Sequence, residues 1–379
     1  MPLHTLSQLT GDFVVYRNLE PYEARVPGLS AAWREMGLPG PAILRKRDPA
    51  YPHAAAWILR RFHQLAAPGA PLTELLLIGD TLGSDGGAFR ALAGATGWQG
   101  SAFIGAEDLA QPPQSEWQGD LYLANRWQAL AGWLQVLRAR GLGLDERTLV
   151  VVDIDKTALG ARGRNDRPID RTRLDGMRQT VLDALGPAAN WDAFAAIYNE
   201  LNRPAYKDLT ADNQDYLAYI CMMTGAGVIQ FDDLLTAYRA GETAGFDAFI
   251  ARIQTQAAAL SPSLAAVHQA VYTAHRAGDP TPFKNFRRQE YLAAARLMGC
   301  LPDDASLGER LEQEICLTQE VWDACRWLAG RGAVITSLSD KPDEACGPTP
   351  DLAARGYLPI HLTPTHLAGA PLALETGRD

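Results

Sequence analysis

Apolar residues in this chain follow two rhythms, and the change of rhythm divides it. Short continuous apolar or β-branched runs fall at 75–78, 102–104, 149–152 and 333–338, with weaker ones at 12–16 and 360–362. Most of them lead through turn residues into segments of helical spacing, such as 54–65 and 123–140. In the latter, Trp127, Leu130, Leu134 and Leu137 line one stripe. Strands apolar at every position, alternating with helices, predict an α/β fold whose parallel sheet is covered on both faces. From about 170 to 315 the strand signal vanishes. Helix-period segments at 174–185, 191–201, 212–223, 246–256, 264–275 and 289–298 follow one another, mostly separated by proline or glycine. Because a strand signal resumes at 333, this stretch reads as an all-helical module inserted into the α/β domain.

Composition narrows the class without changing that picture. The 379 residues are 47% hydrophobic and 21% charged, ordinary values for a globular chain with more than one domain. No run approaches the roughly 18 apolar residues of a membrane span. Met1-Pro2-Leu3-His4 lacks the charged and apolar regions of a signal peptide, so a cytoplasmic location without membrane contact is expected. A net charge of −9 with no lysine-rich tail argues against nucleic acid as the main partner. The five cysteines are scattered and odd in number, which favours buried free thiols over a metal or disulfide framework.

Three strand ends carry candidate chemistry. In Leu149-Val-Val-Val-Asp153-Ile-Asp155-Lys-Thr157 an apolar strand runs into two carboxylates and a hydroxyl. Such groups at the carboxyl end of a parallel strand face the crevice where open α/β sheets bind ligands. Leu75-Leu-Leu-Ile-Gly79-Asp80 continues to Asp85, giving two acids five residues apart. Carboxylates from neighbouring strand ends suit a hard cation such as Mg²⁺, although this pattern alone equally describes a solvated turn. Val334-Ile-Thr-Ser-Leu-Ser339-Asp340-Lys341-Pro342 brings a hydroxyl to a strand end and an expected helix start. That combination can hold phosphate oxygens or simply cap a helix.

Together these segments resemble the haloacid dehalogenase-like (HAD) superfamily of phosphohydrolases. The family's first motif, hhhDxDxT, is matched by Asp153, Asp155 and Thr157. Its second, a strand ending in serine or threonine, is matched by Ser339, and its fourth, GDxxxxD, by Asp80 and Asp85. Its third is a lysine ahead of the fourth-motif strand. Lys46 stands in that place, with Arg45 and Arg47 beside it as alternatives. The order is permuted: the third and fourth motifs precede the first, and the second comes last. Only 40 residues follow Ser339, too few for another lysine helix and acid-bearing strand. The resemblance therefore implies a circularly permuted, Rossmann-like three-layer core over 1–157 and 316–379, with 158–315 as a helical cap. Circular permutation is tolerable where chain termini lie close together at a domain surface.

By resemblance, Asp153 is the nucleophile of a phosphatase acting on a small phosphorylated metabolite, and Asp155 is its general acid and base. Mg²⁺ is implied on Asp153, the Asp155 backbone carbonyl, Asp80 and Asp85, the last directly or through water. Lys46, Ser339 and Thr157 are the implied phosphate ligands. Arg162 and Arg164 lie in an arginine-rich segment expected to join core and cap. There they are candidates for an anionic substrate, as is Arg287 further along the insert. A phosphotransferase or mutase shares the same covalent intermediate, and a catalytically idle binding protein would keep the same fold.

Overall fold

The computed structural model describes residues 2–187 and 189–374. It divides into two compact units, one running up to Asp170 and again from Ala294, the other Arg171–Ala293.

The first unit is α/β. Its strands are β1 (Val14–Val15), β2 (Glu74–Gly79), β3 (Gln99–Gly105), β4 (Ser115–Gln118), β5 (Leu121–Ala124), β6 (Thr148–Val152), β7 (Leu317–Thr318), β8 (Val334–Leu338) and β9 (Leu367–Ala368). Among the described residues, seven of them form one sheet in the order β1-β8-β6-β2-β3-β5-β4. Every neighbouring pair is parallel except β4 with β5. The strands β6, β8 and β2, which carry the three chemical segments, are therefore adjacent, with β6 between the other two.

The continuous apolar runs are explained by two covered faces. On one face Leu75, Leu77, Leu149, Val151, Val334 and Leu338 share a core with Ile58, Leu59 and Phe62 of helix Tyr51–Ala66. Phe89 and Leu92 of helix Gly87–Thr96 complete it. Successive strand residues point to opposite faces, so Leu76, Ile78, Val150 and Val152, also buried, serve the other side. There helices Ala129–Ala139 and Gln319–Gly330 pack against the sheet. The ring of Phe103 on β3 lies 5.8 Å from Trp133 and 6.0 Å from Trp127. The layers are helix, sheet and helix.

Three expectations shift. The segment expected to be helical over 123–140 is helical only over Ala129–Ala139. Its start belongs to the hairpin β4–β5, turned at Gly119 and Asp120, where Gly119 takes a left-handed φ of 69°. Pairing of β5 with β3 decides the matter, because it gives the backbone of 121–124 sheet partners that a helix would forgo. Residues 360–362 form a turn flanked by Pro359 and Pro364, and the strand lies further on, as β9 pairing with β7.

The insert is also shorter than 158–315. Residues 158–170 and 294–315 belong with the α/β unit, where Gly160 N–H donates to the Cys316 carbonyl (2.8 Å) and Thr318 N–H to that of Ala158 (2.9 Å). Buried Asn165 donates to the carbonyls of Leu311 and Glu314, each at 2.9 Å, and accepts from Cys316 N–H at the same distance. An asparagine clamp of this kind leaves no trace in hydrophobic periodicity.

The second unit contains helices Trp191–Leu201, Gln214–Gly225, Phe231–Arg239, Phe246–Thr255 and Pro262–Arg276. Phe194, Leu217, Tyr219, Phe249, Ile253 and Phe286 form its core. Asn190 and Ser261 cap two of these helices through their side chains. No helix among the described residues is long and apolar enough to cross a membrane. All five cysteines are free thiols, four buried and Cys300 exposed.

Leu77 is 2% exposed on β2, hydrogen-bonded on both sides within the sheet. Leu77→Ala should cost about 2–5 kcal/mol in denaturant unfolding, the range for a buried leucine whose cavity cannot collapse. Leu109→Ala, at a position 75% exposed, should leave the midpoint nearly unchanged.

Candidate active site

The parallel register brings three chain exits to one edge of the sheet. Ile78 pairs with Val152, and Val152 with Ser337, so the residues just beyond are level. Asp153 N–H still donates to the Ile78 carbonyl (2.9 Å), which fixes the root of its side chain to the sheet. Past it the chain turns sharply, with Ala158 N–H bonded to the Asp153 carbonyl (3.1 Å) and Lys156 at a φ of 65°. A non-glycine residue in that region stores strain, a common feature of functional loops.

Asp80 and Asp85 follow β2. The turn Leu82–Gly86 is π-helical, a geometry frequent at functional sites, and it folds Asp85 back beneath the strand end. Its Oδ2 accepts from Asp80 N–H (3.2 Å), Thr81 N–H (3.0 Å) and the Thr81 hydroxyl (2.7 Å). Gly79 is required here, since a Cβ on it would lie 2.5 Å from the Cβ of Asp85.

Lys46 reaches in from the loop before helix Tyr51–Ala66. Its Nζ donates to Asp85 Oδ1 (2.8 Å) and Asp153 Oδ1 (2.7 Å), with all three residues buried. Of the three basic neighbours only Lys46 meets this cluster: Arg45 lies 3.8 Å from Asp340, and Arg47 is exposed. Arg162 pairs with Asp80. Carboxylate oxygens of Asp80, Asp85 and Asp153 lie within 4.8 Å of one another.

Burial and mutual repulsion dominate the electrostatics. Burial, then the nearby Asp85, pushes the Asp80 carboxyl up to about 7 against the pull of Arg162. Burial likewise raises Asp153, with Asp85 and Asp80 adding to it and Lys46 opposing. Asp85 goes the other way, because the charge and hydrogen bonds of Lys46 and Thr81 outweigh its burial. Lys46 is raised despite burial by Asp153 and Asp85. Three carboxylates thus share two cations, and the unrelieved negative charge sits on Asp80 and Asp153. An all-oxygen donor set with surplus negative charge fits a hard divalent cation such as Mg²⁺.

Asp155 and Ser339 complete the edge. Lys341 Nζ donates to Asp155 Oδ1 (3.1 Å), and Lys341 N–H donates to the Ser339 hydroxyl (3.3 Å). Ser339 N–H is tied to the Val15 carbonyl of β1 (2.9 Å). The helix start expected after Ser339 is absent. Pro342 leads only into a single 3₁₀ turn, Asp343–Ala345, so Ser339 offers its hydroxyl without a helix terminus behind it. Thr157 is fully buried, its carbonyl accepts from the Thr318 hydroxyl, and its own hydroxyl has no hydrogen-bond partner.

Two arginines expected near a substrate are engaged otherwise. Arg164 is buried between Glu107 and Glu320, at 2.8 Å from each, and fastens the loop after Asp153 to helix Gln319–Gly330. Arg287 lies within the helical unit, 4% exposed and paired with buried Asp215 and Glu290 at 2.7 Å. Desolvating a guanidinium this far requires such partners, and both side chains act as internal ties.

Sequence reasoning passed over Lys341 and Tyr51. Lys341 stands two residues after Ser339, a spacing that carries no recognisable signal. Tyr51 opens an amphipathic helix and reads as core, yet it shares with Lys46 and Asp153 a cavity too small for a water molecule. Burial raises its phenol well above the ordinary range.

Lys46→Met should be among the most destabilising single changes, by about 3–5 kcal/mol in urea unfolding, because it strands two buried carboxylates. Adding Asp153→Asn to that variant should recover part of the loss, since one buried charge fewer remains. Comparison with models of known protein families, with curated proteins and with solved structures gave no match.

Proposed function

We propose that this chain is a Mg²⁺-dependent phosphatase of the HAD-like superfamily, with a circularly permuted core, acting on a small phosphorylated metabolite. The observation that carries the reading is convergence. Lys46, Asp80, Asp85, Asp153, Asp155 and Ser339 span almost 300 residues of sequence, yet they belong to one edge of three adjacent parallel strands. Chain order is Lys46, Asp80, Asp153, Ser339, and the adjacency of β2, β6 and β8 is what a permuted core requires.

The chemistry divides between two carboxylates. Asp153, rooted to the sheet, attacks phosphorus, and the bond to the leaving oxygen breaks as that oxygen takes a proton from Asp155. The aspartyl-phosphate is then hydrolysed. Asp155 removes a proton from water, the water oxygen bonds to phosphorus, and the Asp153 carboxylate is released. Lys46 and the Ser339 hydroxyl bind phosphoryl oxygens, with Lys46 also screening Asp153 from Asp85. Asp80, Asp85, Asp153 and the Asp155 carbonyl would hold Mg²⁺, which supplies positive charge against repulsion between carboxylates and a phosphate dianion.

A panel of phosphate esters assayed with and without Mg²⁺ tests this reading. Wild type should release phosphate only with the metal, and Asp153→Asn should lose at least about 10³-fold in kcat. Equal release by the two proteins would remove Asp153 as nucleophile. Mg²⁺ should also raise the thermal midpoint of wild type, as a ligand of the native state does, but not that of Asp80→Asn.

A further inference from the structure

We infer that Lys341 is a positioning residue for proton transfer, holding Asp155 in place beside the phosphoryl group. The inference rests on the phosphatase reading above and adds to it a residue outside the motif set.

The geometry separates two lysines with two tasks. Lys46 is committed to Asp85 and Asp153, the nucleophile and its neighbour. Lys341 meets Asp155 instead, at 3.1 Å, with its own side chain 6% exposed and that of Asp155 22% exposed. A lysine buried this far loses its hydration and needs a fixed partner, so the contact is more than a mobile surface pair.

The backbone beneath Lys341 is held on both sides. Ser339 N–H bonds to Val15, Arg17 N–H bonds to the Lys341 carbonyl (3.2 Å), and Lys341 N–H bonds to the Ser339 hydroxyl. Arg17 Nε also donates to the Asp340 carbonyl (2.8 Å). The Lys341 ammonium therefore projects from a segment pinned to β1. Asp155 lies beyond the end of β6 at Val152, in a turn that passes through the strained Lys156 and is bridged at Asp155 to Leu159. Proton transfer depends steeply on where the donor oxygen lies, and a displacement near 1 Å can cost about 10²-fold.

Such a role has a signature that a structural role lacks. In the first step Asp155 gives its proton to the leaving oxygen, and only a poor leaving group needs it. Lys341→Met should lower kcat/KM for an alkyl phosphate by roughly 10–100-fold, within the range of one general acid. For p-nitrophenyl phosphate, whose leaving group departs without a proton, the loss should stay within about 3-fold. Lys341→Arg should recover much of the alkyl activity, and Asp155→Asn with Lys341→Met should be no slower than Asp155→Asn alone. Thermal midpoints close to wild type should show that each variant keeps the fold.

Equal losses on both esters, or additive losses in the double variant, would overturn the inference while leaving a phosphatase intact. Wild type inactive on every ester with Mg²⁺ would overturn the phosphatase reading, and this inference with it.

Discussion

Three carboxylates buried at one sheet edge repel one another, and the site's design follows from how that repulsion is relieved. Each ion taken out of water costs several kcal/mol even after the protein relaxes, so Asp80, Asp85 and Asp153 cannot stand together unaided. Lys46 bridges two of them and Arg162 meets the third. Burial above all, with the neighbouring carboxylates adding to it, still displaces Asp80 and Asp153 upward. A cation bound there, as proposed, would offset the remaining repulsion. A core built for stability alone would replace the cluster with apolar residues.

The sheet makes the arrangement possible by dividing the labour. Leu75–Ile78 and Leu149–Val152 are buried on both faces and anchored on both sides by neighbouring strands, so the residues just beyond them inherit a rigid base. Gly79 then permits Asp85 to fold back against the strand end, and the π-helical turn supplies the path. Chain order is irrelevant to this geometry. A parallel strand is placed by its neighbours and its crossovers, so the same edge can be assembled from segments taken in a different order.

Legibility followed the same division. The four strong strands were readable because double burial keeps them almost wholly apolar, the buried Thr336 and Ser337 of β8 excepted, a pattern that a solvent-facing strand does not share. Helix Trp191–Leu201 likewise stood out from its helical spacing, whereas its Asn190 cap is seen only in the structure. The β4–β5 hairpin was not readable, since its exposed edge and the Trp127 stripe that follows imitate a helix. The site's carboxylates were legible as strand ends, whereas Lys46 could be picked out only through the motif resemblance. Arg45, Lys46 and Arg47 are indistinguishable in sequence, and only the fold turns one of them inward. Arg164 and Arg287 show the converse error. An arginine in a charged run looks available, yet both are consumed by buried glutamates and an aspartate whose positions no local pattern discloses.

The contrast between these arginines and the two site lysines separates structural from functional charge. Around Arg164 and around Arg287 two acids meet one buried guanidinium, short contacts fill each pair, and the groups lie within well-packed units. At the strand ends the pairing is incomplete: Asp80 is raised toward neutrality, and the hydroxyl of Thr157 is buried without a partner. A buried polar atom left unsatisfied costs about 1–3 kcal/mol, and a carboxyl displaced from its ordinary range costs stability in proportion. A cation among the three aspartates would relieve the carboxylate part of that deficit, which is how the proposed phosphoryl-transfer reading accords with the energetics.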